Sequence, residues 1–425
     1  MKTIYRAKIF HTPKSPFDGA ELVFFEDGGL VVENGLIDTV GNFDSVSNKY
    51  PQAEIISYQN SFIIPGLVDS HVHYPQIPVI GAMGLRLLDW LDQKTLPAEA
   101  KFADKNYARE QAQIFLKQLA RNGTTTALVF GAHFAQAMEE FFTEADKSGL
   151  RITAGLVLGD RMLKDELYTN PNKAYKESKA LIEKWHNKNR LRYAVTPRFS
   201  VSCSDDILAV CGRLVDEYPS VFFTTHMNEQ LEEIDLVKRQ FSATDYLETY
   251  EKHGLVNKRS VFAHNVHPSN SELKRMSKAK ASVAHCPSSN MFIGSGLFNM
   301  LEHIQHKINF ALGSDVGGGT GFSILKEALM SYQAQMLRQK PYPLTAAHLL
   351  YLATLAGAKV LGLDDKIGDF SSGKEADFVV LEAAENSTLA QSLKHSKGQD
   401  SLAAIFTLAR EDAIKDVFVA GESIL

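Results

Sequence analysis

His71 and His73 stand two residues apart at the end of the apolar stretch Ile64-Pro-Gly-Leu-Val-Asp-Ser-His-Val-His-Tyr-Pro-Gln76. Side chains two apart on a strand point to the same face. Two imidazoles on one face can bind a single transition metal, and Zn²⁺ is the commonest ion that takes nitrogen ligands of this kind. On its own such a pair is more often an ordinary polar strand end. The rest of the chain supplies what a catalytic metal would still need. His226 follows Val221-Phe-Phe-Thr-Thr225, and Glu229 comes three residues later. His264 follows Ser260-Val-Phe-Ala263, and Asp315 follows Ile308-Asn-Phe-Ala-Leu-Gly-Ser314. Each closes a short β-branched or aromatic run, where the parallel strands of an α/β barrel present their chemistry.

The elements that must position these residues alternate between apolar strand and helical pattern. Runs at about 62–68, 124–130, 152–158, 192–196, 221–225, 260–263, 281–284 and 308–312 are eight candidate strands. Eight such units predict a closed (β/α)₈ barrel. One helix can be checked by spacing: Ala108, Ala112, Phe115 and Leu119 recur at core-facing intervals, and Asn122-Gly123 supplies the stop. The first 63 residues differ in texture, with short strand-like runs (3–9, 21–25, 29–32, 36–40) between Gly, Asp and Pro turns. Residues 378–381 and 414–419 repeat that texture. The expected fold is therefore an α/β TIM-type barrel over residues 64–370, with a small β-sandwich domain built from 1–63 and 371–425. The polar stretch 385–399 reads as a surface excursion.

Composition narrows the function. With 45 basic and 50 acidic residues, a formal charge of −5 and no basic cluster interleaved with aromatics, the chain shows no nucleic-acid footprint. Cys203, Cys211 and Cys286 are odd in number and lack Cys-x-x-Cys spacing, which excludes a disulfide framework and a cysteine zinc site and points to a reducing cytoplasm. No stretch approaches the roughly 18 apolar residues of a membrane span, and the N-terminus has no apolar signal core.

Taken together, His71-Val-His73, His226, His264, Asp315 and the phrase Ile367-Gly-Asp-Phe-Ser-Ser-Gly-Lys-Glu-Ala-Asp-Phe-Val379 resemble the amidohydrolase superfamily of metal-dependent barrel hydrolases. Five local phrases resemble its guanine deaminase branch more closely: His71-Val-His-Tyr-Pro-Gln76, Thr196-Pro-Arg-Phe-Ser200, His226-Met-Asn-Glu229, Ala284-His-Cys-Pro-Ser-Ser-Asn290 and Gly313-Ser-Asp-Val-Gly-Gly-Gly319. The resemblance implies hydrolysis of guanine to xanthine and ammonia by a metal-activated water, in a cytoplasmic homodimer with one Zn²⁺ per chain. His71, His73, His226 and Asp315 would be the metal ligands, leaving a position for water. Glu229 would move protons, Asp315 would accept one from the water, and His264 would orient it or stabilise charge. Gln76, Arg198 and Phe199, with His226 and Glu229, would contact substrate: Arg198 on a purine carbonyl, Gln76 on the edge bearing the 2-amino group, Phe199 against the ring. Binuclear members carry a modified lysine on the fourth strand, and Arg192-Tyr-Ala-Val-Thr-Pro-Arg-Phe199 has none, favouring one metal. Iron in place of zinc, another amino- or halo-heterocycle as substrate, and a catalytically silent scaffold on the same fold stay open at this point. So do the roles of His267 and His285.

Overall fold

The computed structural model describes residues 2–425. Strands β1 (Lys2–His11), β2 (Val23–Glu33), β3 (Leu36–Asn42) and β4 (Glu54–Pro65) open a mixed sheet. The barrel follows as β5 (Leu67–His73), β6 (Thr124–Phe130), β7 (Arg151–Gly155), β8 (Val157–Leu158), β9 (Leu191–Pro197), β10 (Phe222–Met227), β11 (Ser260–His264), β12 (Ser282–His285) and β13 (Asn309–Leu312). All pair in parallel in the order β5-β6-β7-β9-β10-β11-β12-β13, and the short β8 extends the β7 position against β9. The chain then returns to the first sheet through β14 (Phe378–Leu381), β15 (Ile414–Val419) and β16 (Glu422–Ser423), giving β16-β15-β14-β4-β1-β2-β3. The barrel expectation and the joining of both chain ends hold.

The small sheet curls onto itself. Tyr5 on β1 and Phe418 on β15 are three ladder steps apart, about 14 Å in a flat sheet, yet their ring centroids lie 5.3 Å apart. Phe378 on β14 fills the space between them, 4.9 Å from Tyr5 and 4.3 Å from Phe418. The two halves of one sheet thus face each other across a shared apolar core, as the layers of a sandwich do.

Two sequence expectations shift and a third gains detail. The run 62–68 divides at Pro65-Gly66, with Phe62–Pro65 pairing β14 in the small sheet and Leu67 opening the barrel. Both halves are apolar and buried, so hydropathy cannot separate them; Gly66 passes so close to Thr125 that a Cβ would lie 2.3 Å from its Oγ1. The runs 21–25 and 29–32 belong to the single strand β2, where Asp27 serves not as a turn residue but as the fork-to-fork partner of Arg6 on β1 (2.8 and 2.7 Å). The stretch 385–399 is the surface excursion expected, with only Leu389 buried, and it carries the helix Thr388–Leu393 before Gln399–Leu408 buries Leu402, Ile405 and Phe406.

The helix Lys105–Arg121 starts where Asp104 accepts from Asn106 N (2.8 Å) and Tyr107 N (3.3 Å). It buries Ala108, Ala112, Phe115 and Leu119, and Gly123 at φ +77° turns the chain into β6. Phe115→Ala should lower stability by about 3–5 kcal/mol, the cost of deleting a fully packed ring; urea unfolding showing less than about 1 kcal/mol would remove this ring from the core. Among the described residues no helix is long and apolar enough to cross a membrane.

Closure at the β5–β13 seam relies on specific groups. Asp315 N donates to His71 O (2.9 Å), His73 N to Val316 O (3.2 Å) and Ser70 Oγ to Leu312 O (2.8 Å). Asp69, enclosed in the seam, accepts from Ser314 N (3.0 Å) and Ser314 Oγ (2.5 Å). These bonds set the His71–His73 pair beside Asp315. After β5 the chain builds an irregular helix across the barrel mouth: α-helical Leu87–Trp90, a π turn Leu91–Thr95, α-helical Leu96–Ala100 and a 3₁₀ turn Lys101–Ala103. π turns inside helices recur at functional sites.

Candidate active site

Four side chains converge at the β5, β10 and β13 ends. His73 Nε2 lies 3.1 Å from His71 Nε2, 3.2 Å from His226 Nε2 and 3.1 Å from Asp315 Oδ1, and His71 Nε2 lies 3.2 Å from the same oxygen. An imidazole nitrogen carries at most one hydrogen, so one proton cannot satisfy three partners at once. A central cation satisfies them all. Tetrahedral Zn²⁺ with bonds of 2.0–2.1 Å holds its ligands roughly 3.3 Å apart, close to the spacings found. The ligand atoms of His71, His226, His264 and Asp315 also fall within 4.8 Å of one another, which brings His264 to the edge of the same group. Within His71, His73, His226 and Asp315, four of the six spacings are the 3.1–3.2 Å distances above.

The surroundings prepare these donors. His226 Nδ1 meets Arg198 O at 2.6 Å, so it carries the proton and leaves Nε2 bare. Tyr250 OH donates to His226 O (3.0 Å), fixing the backbone behind it. Burial pushes His73 down to about 4 and lowers His71 and His226 too, so their lone pairs are free at neutral pH. Burial alone would raise the Asp315 carboxyl, but its contacts with His71 and His73 hold it well below the usual range. Asp315 (φ +48°) and His264 (φ +70°) both adopt left-handed backbone, a strain of order 1–3 kcal/mol each placed at two strand ends of the site.

Beside the cluster, His264 Nε2 lies 3.4 Å from Glu229 Oε2 and 3.8 Å from Asp315 Oδ2. Its Nδ1 contacts Asn290 Oδ1 at 2.9 Å, which keeps the proton there and turns the Nε2 lone pair inward. Burial and the neighbouring Asp315 charge push the Glu229 carboxyl up to about 8. Ser295 Oγ donates to Glu229 Oε1 (3.0 Å), leaving Oε2 toward the site. Burial thus favours the protonated form of Glu229, whose Oε2 faces the cavity.

That cavity, of about 340 Å³, is lined by His73, Gln76, Leu87, Trp90, Leu91, Arg198, Phe199, His226, Glu229, His264, Ile293 and Asp315. A larger open groove of about 1580 Å³ on the barrel's outside, between the helices Lys105–Arg121 and Ala135–Ser148, holds no histidine. Converging chemistry, not volume, marks the site. Of the residues singled out from sequence for the site, all but His71 line it, Phe199 with its ring edge-on to His226 at 6.2 Å. Gln76 is already engaged: Nε2 lies 2.9 Å from Glu99 Oε1 and 3.0 Å from His73 Nδ1, and Oε1 accepts from Gly317 N at 3.2 Å. Arg198 Nη1 pairs with Glu99 Oε2 at 2.5 Å.

Sequence reasoning missed Glu99, His133, Asn290, Ser295, Asp69 and the mouth residues Leu87 and Trp90. Only Asp69 and Asn290 sat inside phrases already singled out, and nothing there revealed their partners. His285 lies outside the cluster, stacked on Phe298 at 4.3 Å, and His267 Nε2 is bound to Ser295 O at 2.7 Å. Cys286 is buried and its thiol is pushed well up, which removes the thiolate a nucleophile would need. Glu327, on the helix Ile324–Met336, accepts from Ser288 N (3.0 Å) and is pushed by burial up to about 8. The folded state thus keeps a proton that the unfolded chain releases above about 4.5. That contribution to stability is lost as pH rises from about 4.5 to 8, and Glu327→Gln should flatten the slope in urea midpoints over this window. An unchanged slope would mean that Glu327 is ionised in the fold.

Residues 62–424 match the pattern of the Amidohydrolase family. The chain is 51% identical over 427 residues to a probable guanine deaminase of Deinococcus radiodurans, covering 98% of this chain and 97% of the relative. It is 41% identical over 408 residues to the guanine deaminase of Escherichia coli, covering 95% and 92%. Among solved structures, guanine deaminase from C. acetobutylicum with bound guanine superposes with a TM-score of 0.93 at 28% identity, covering 100% of both chains. With the barrel, the strand-end His/Asp cluster and a family match that runs from β4 nearly to the C-terminus, the chain belongs to the amidohydrolase family.

Proposed function

We propose that this protein is a guanine deaminase, converting guanine and water to xanthine and ammonia with one Zn²⁺ per chain. The observation that carries the reading is a buried Glu229 and a buried Arg198 facing one cavity over the His71, His73, His226, Asp315 cluster. The near full-length relatives named for that activity, and the bound guanine in one of their structures, support it. The homodimer and the cytoplasmic location belong to the same proposal, to be read by light scattering and cell fractionation.

A zinc ion held by those four residues supplies Lewis acidity, lowering the pKa of water to about 7. The chain's own groups do the rest. Glu229 Oε2 delivers its proton to a ring nitrogen next to C2 as water adds there, then takes a proton from that water and passes it to the amine. His264 Nε2 accepts a hydrogen bond from the attacking water, and Asp315 Oδ2 can hold its second proton. Ammonia then leaves as the ring carbonyl forms. Leu87, Trp90 and Leu91 exclude solvent, and Phe199 packs on the purine.

Arg198 donates to the C6 carbonyl, the feature that separates guanine from adenine. Arg198→Met should lower kcat/KM for guanine by roughly 10- to 150-fold, the size of a lost charged hydrogen bond, with metal content unchanged. Activity equal to the parent's would make Arg198 a structural partner of Glu99 alone. The proposal itself is tested by ammonia release from guanine beside adenine, cytosine and melamine. Preference for any of the other three would overturn the substrate.

A further inference from the structure

Glu99 has no part in the metal cluster or in proton transfer. It sits on the one-turn Leu96–Ala100 helix and is buried. A buried carboxylate persists only where donors replace its water. Three donors do so here. Arg198 Nη1 lies 2.5 Å from Oε2, His133 Nε2 lies 3.3 Å from the same oxygen, and Gln76 Nε2 lies 2.9 Å from Oε1. Arg198 and Gln76 line the ligand cavity, whereas Glu99 and His133 do not. One carboxylate behind the wall therefore grips the two polar groups that form it, one on each oxygen.

We propose that Glu99 is a positioning residue for substrate recognition, holding Arg198 and Gln76 at a fixed spacing that fits the polar edge of a neutral 6-oxo, 2-amino purine. This rests on the guanine reading above. Of the five guanidinium N–H groups, one is spent on Glu99 and the others remain for a ligand carbonyl. Gln76 Oε1, bound by Gly317 N, keeps one lone pair for an amine. Holding both side chains in advance removes the ordering cost a free arginine pays on binding. The Glu99 charge also offsets that of Arg198, so the wall suits an uncharged base and gives no preference to an anionic nucleotide.

The test uses metal-loaded full-length protein: Glu99→Gln, Glu99→Asp, Arg198→Met and the double variant Glu99→Gln/Arg198→Met, each with its thermal midpoint and metal content. Glu99→Gln should raise KM for guanine about 10-fold with kcat within about 3-fold of the parent, as expected when a charge-assisted contact becomes a neutral one. Glu99→Asp, which keeps the charge and shortens the reach, should fall between the two. The double variant should lose clearly less than the product of the two single losses, because Glu99 acts through Arg198. Multiplicative losses, or an unchanged KM in folded Glu99→Gln, overturn the assignment. If Glu99→Gln does not fold, an unchanged KM in Glu99→Asp does so instead. A parent that releases no ammonia from guanine overturns the proposed function, and this inference with it, before any variant is made.

Discussion

Glu229→Gln should give a folded, metal-loaded protein that turns over guanine roughly 10²–10⁴-fold more slowly, the usual contribution of a positioned general acid–base. The amide can still accept from Ser295 Oγ, as Glu229 Oε1 does at 3.0 Å, so the local structure is kept. What it cannot do is release a proton and take one back. The loss should fall on kcat, because the carboxyl acts on the reacting atoms and not on the carbonyl edge that Arg198 holds. Single-turnover measurement on the metal-loaded variant separates the outcomes. Near-normal turnover removes Glu229 from the mechanism, and loss of activity in step with loss of metal makes it a ligand.

Stripping the metal should abolish guanine turnover altogether, and one equivalent of Zn²⁺ per chain should restore it. The reason is the donor set: three imidazole nitrogens and one carboxylate oxygen, all buried and with His73 and Asp315 Oδ1 at 3.1–3.2 Å from their nearest partners, can surround one ion. The metal-free protein should also melt at a lower temperature, because binding to the folded state alone stabilises it. Elemental analysis decides the stoichiometry. Two metals per chain at full activity, or a fully active metal-free sample, would overturn the proposed centre.

The proposed metal ligands and Glu229 were legible as candidates in the sequence because each stands where an apolar run meets a polar residue, the local mark of a barrel strand's C-terminal end. The helix Lys105–Arg121 was legible for the same reason, since its spacing reports which face is buried. Glu99 was not. It lies in a helical stretch across the mouth whose π turn breaks the 3.6-residue period, and no local pattern distinguishes it from any solvated glutamate. Its meaning comes from Arg198, 99 residues away in sequence and 2.5 Å away in space. Asp69 is similar: it sits two residues before His71, but only the closed seam shows that it binds Ser314 and so sets Asp315 beside the histidines. The division at Pro65-Gly66 was hidden because apolar strands on either side look alike until their partners are known. Taken by itself, the sequence determined the strand ends and the chemistry they could carry, because hydrophobic period and residue type are local properties. The tertiary structure alone decided which loop side chains stand behind that chemistry and which oxygen or nitrogen each presents, because those depend on barrel closure and on contacts between segments far apart in the chain.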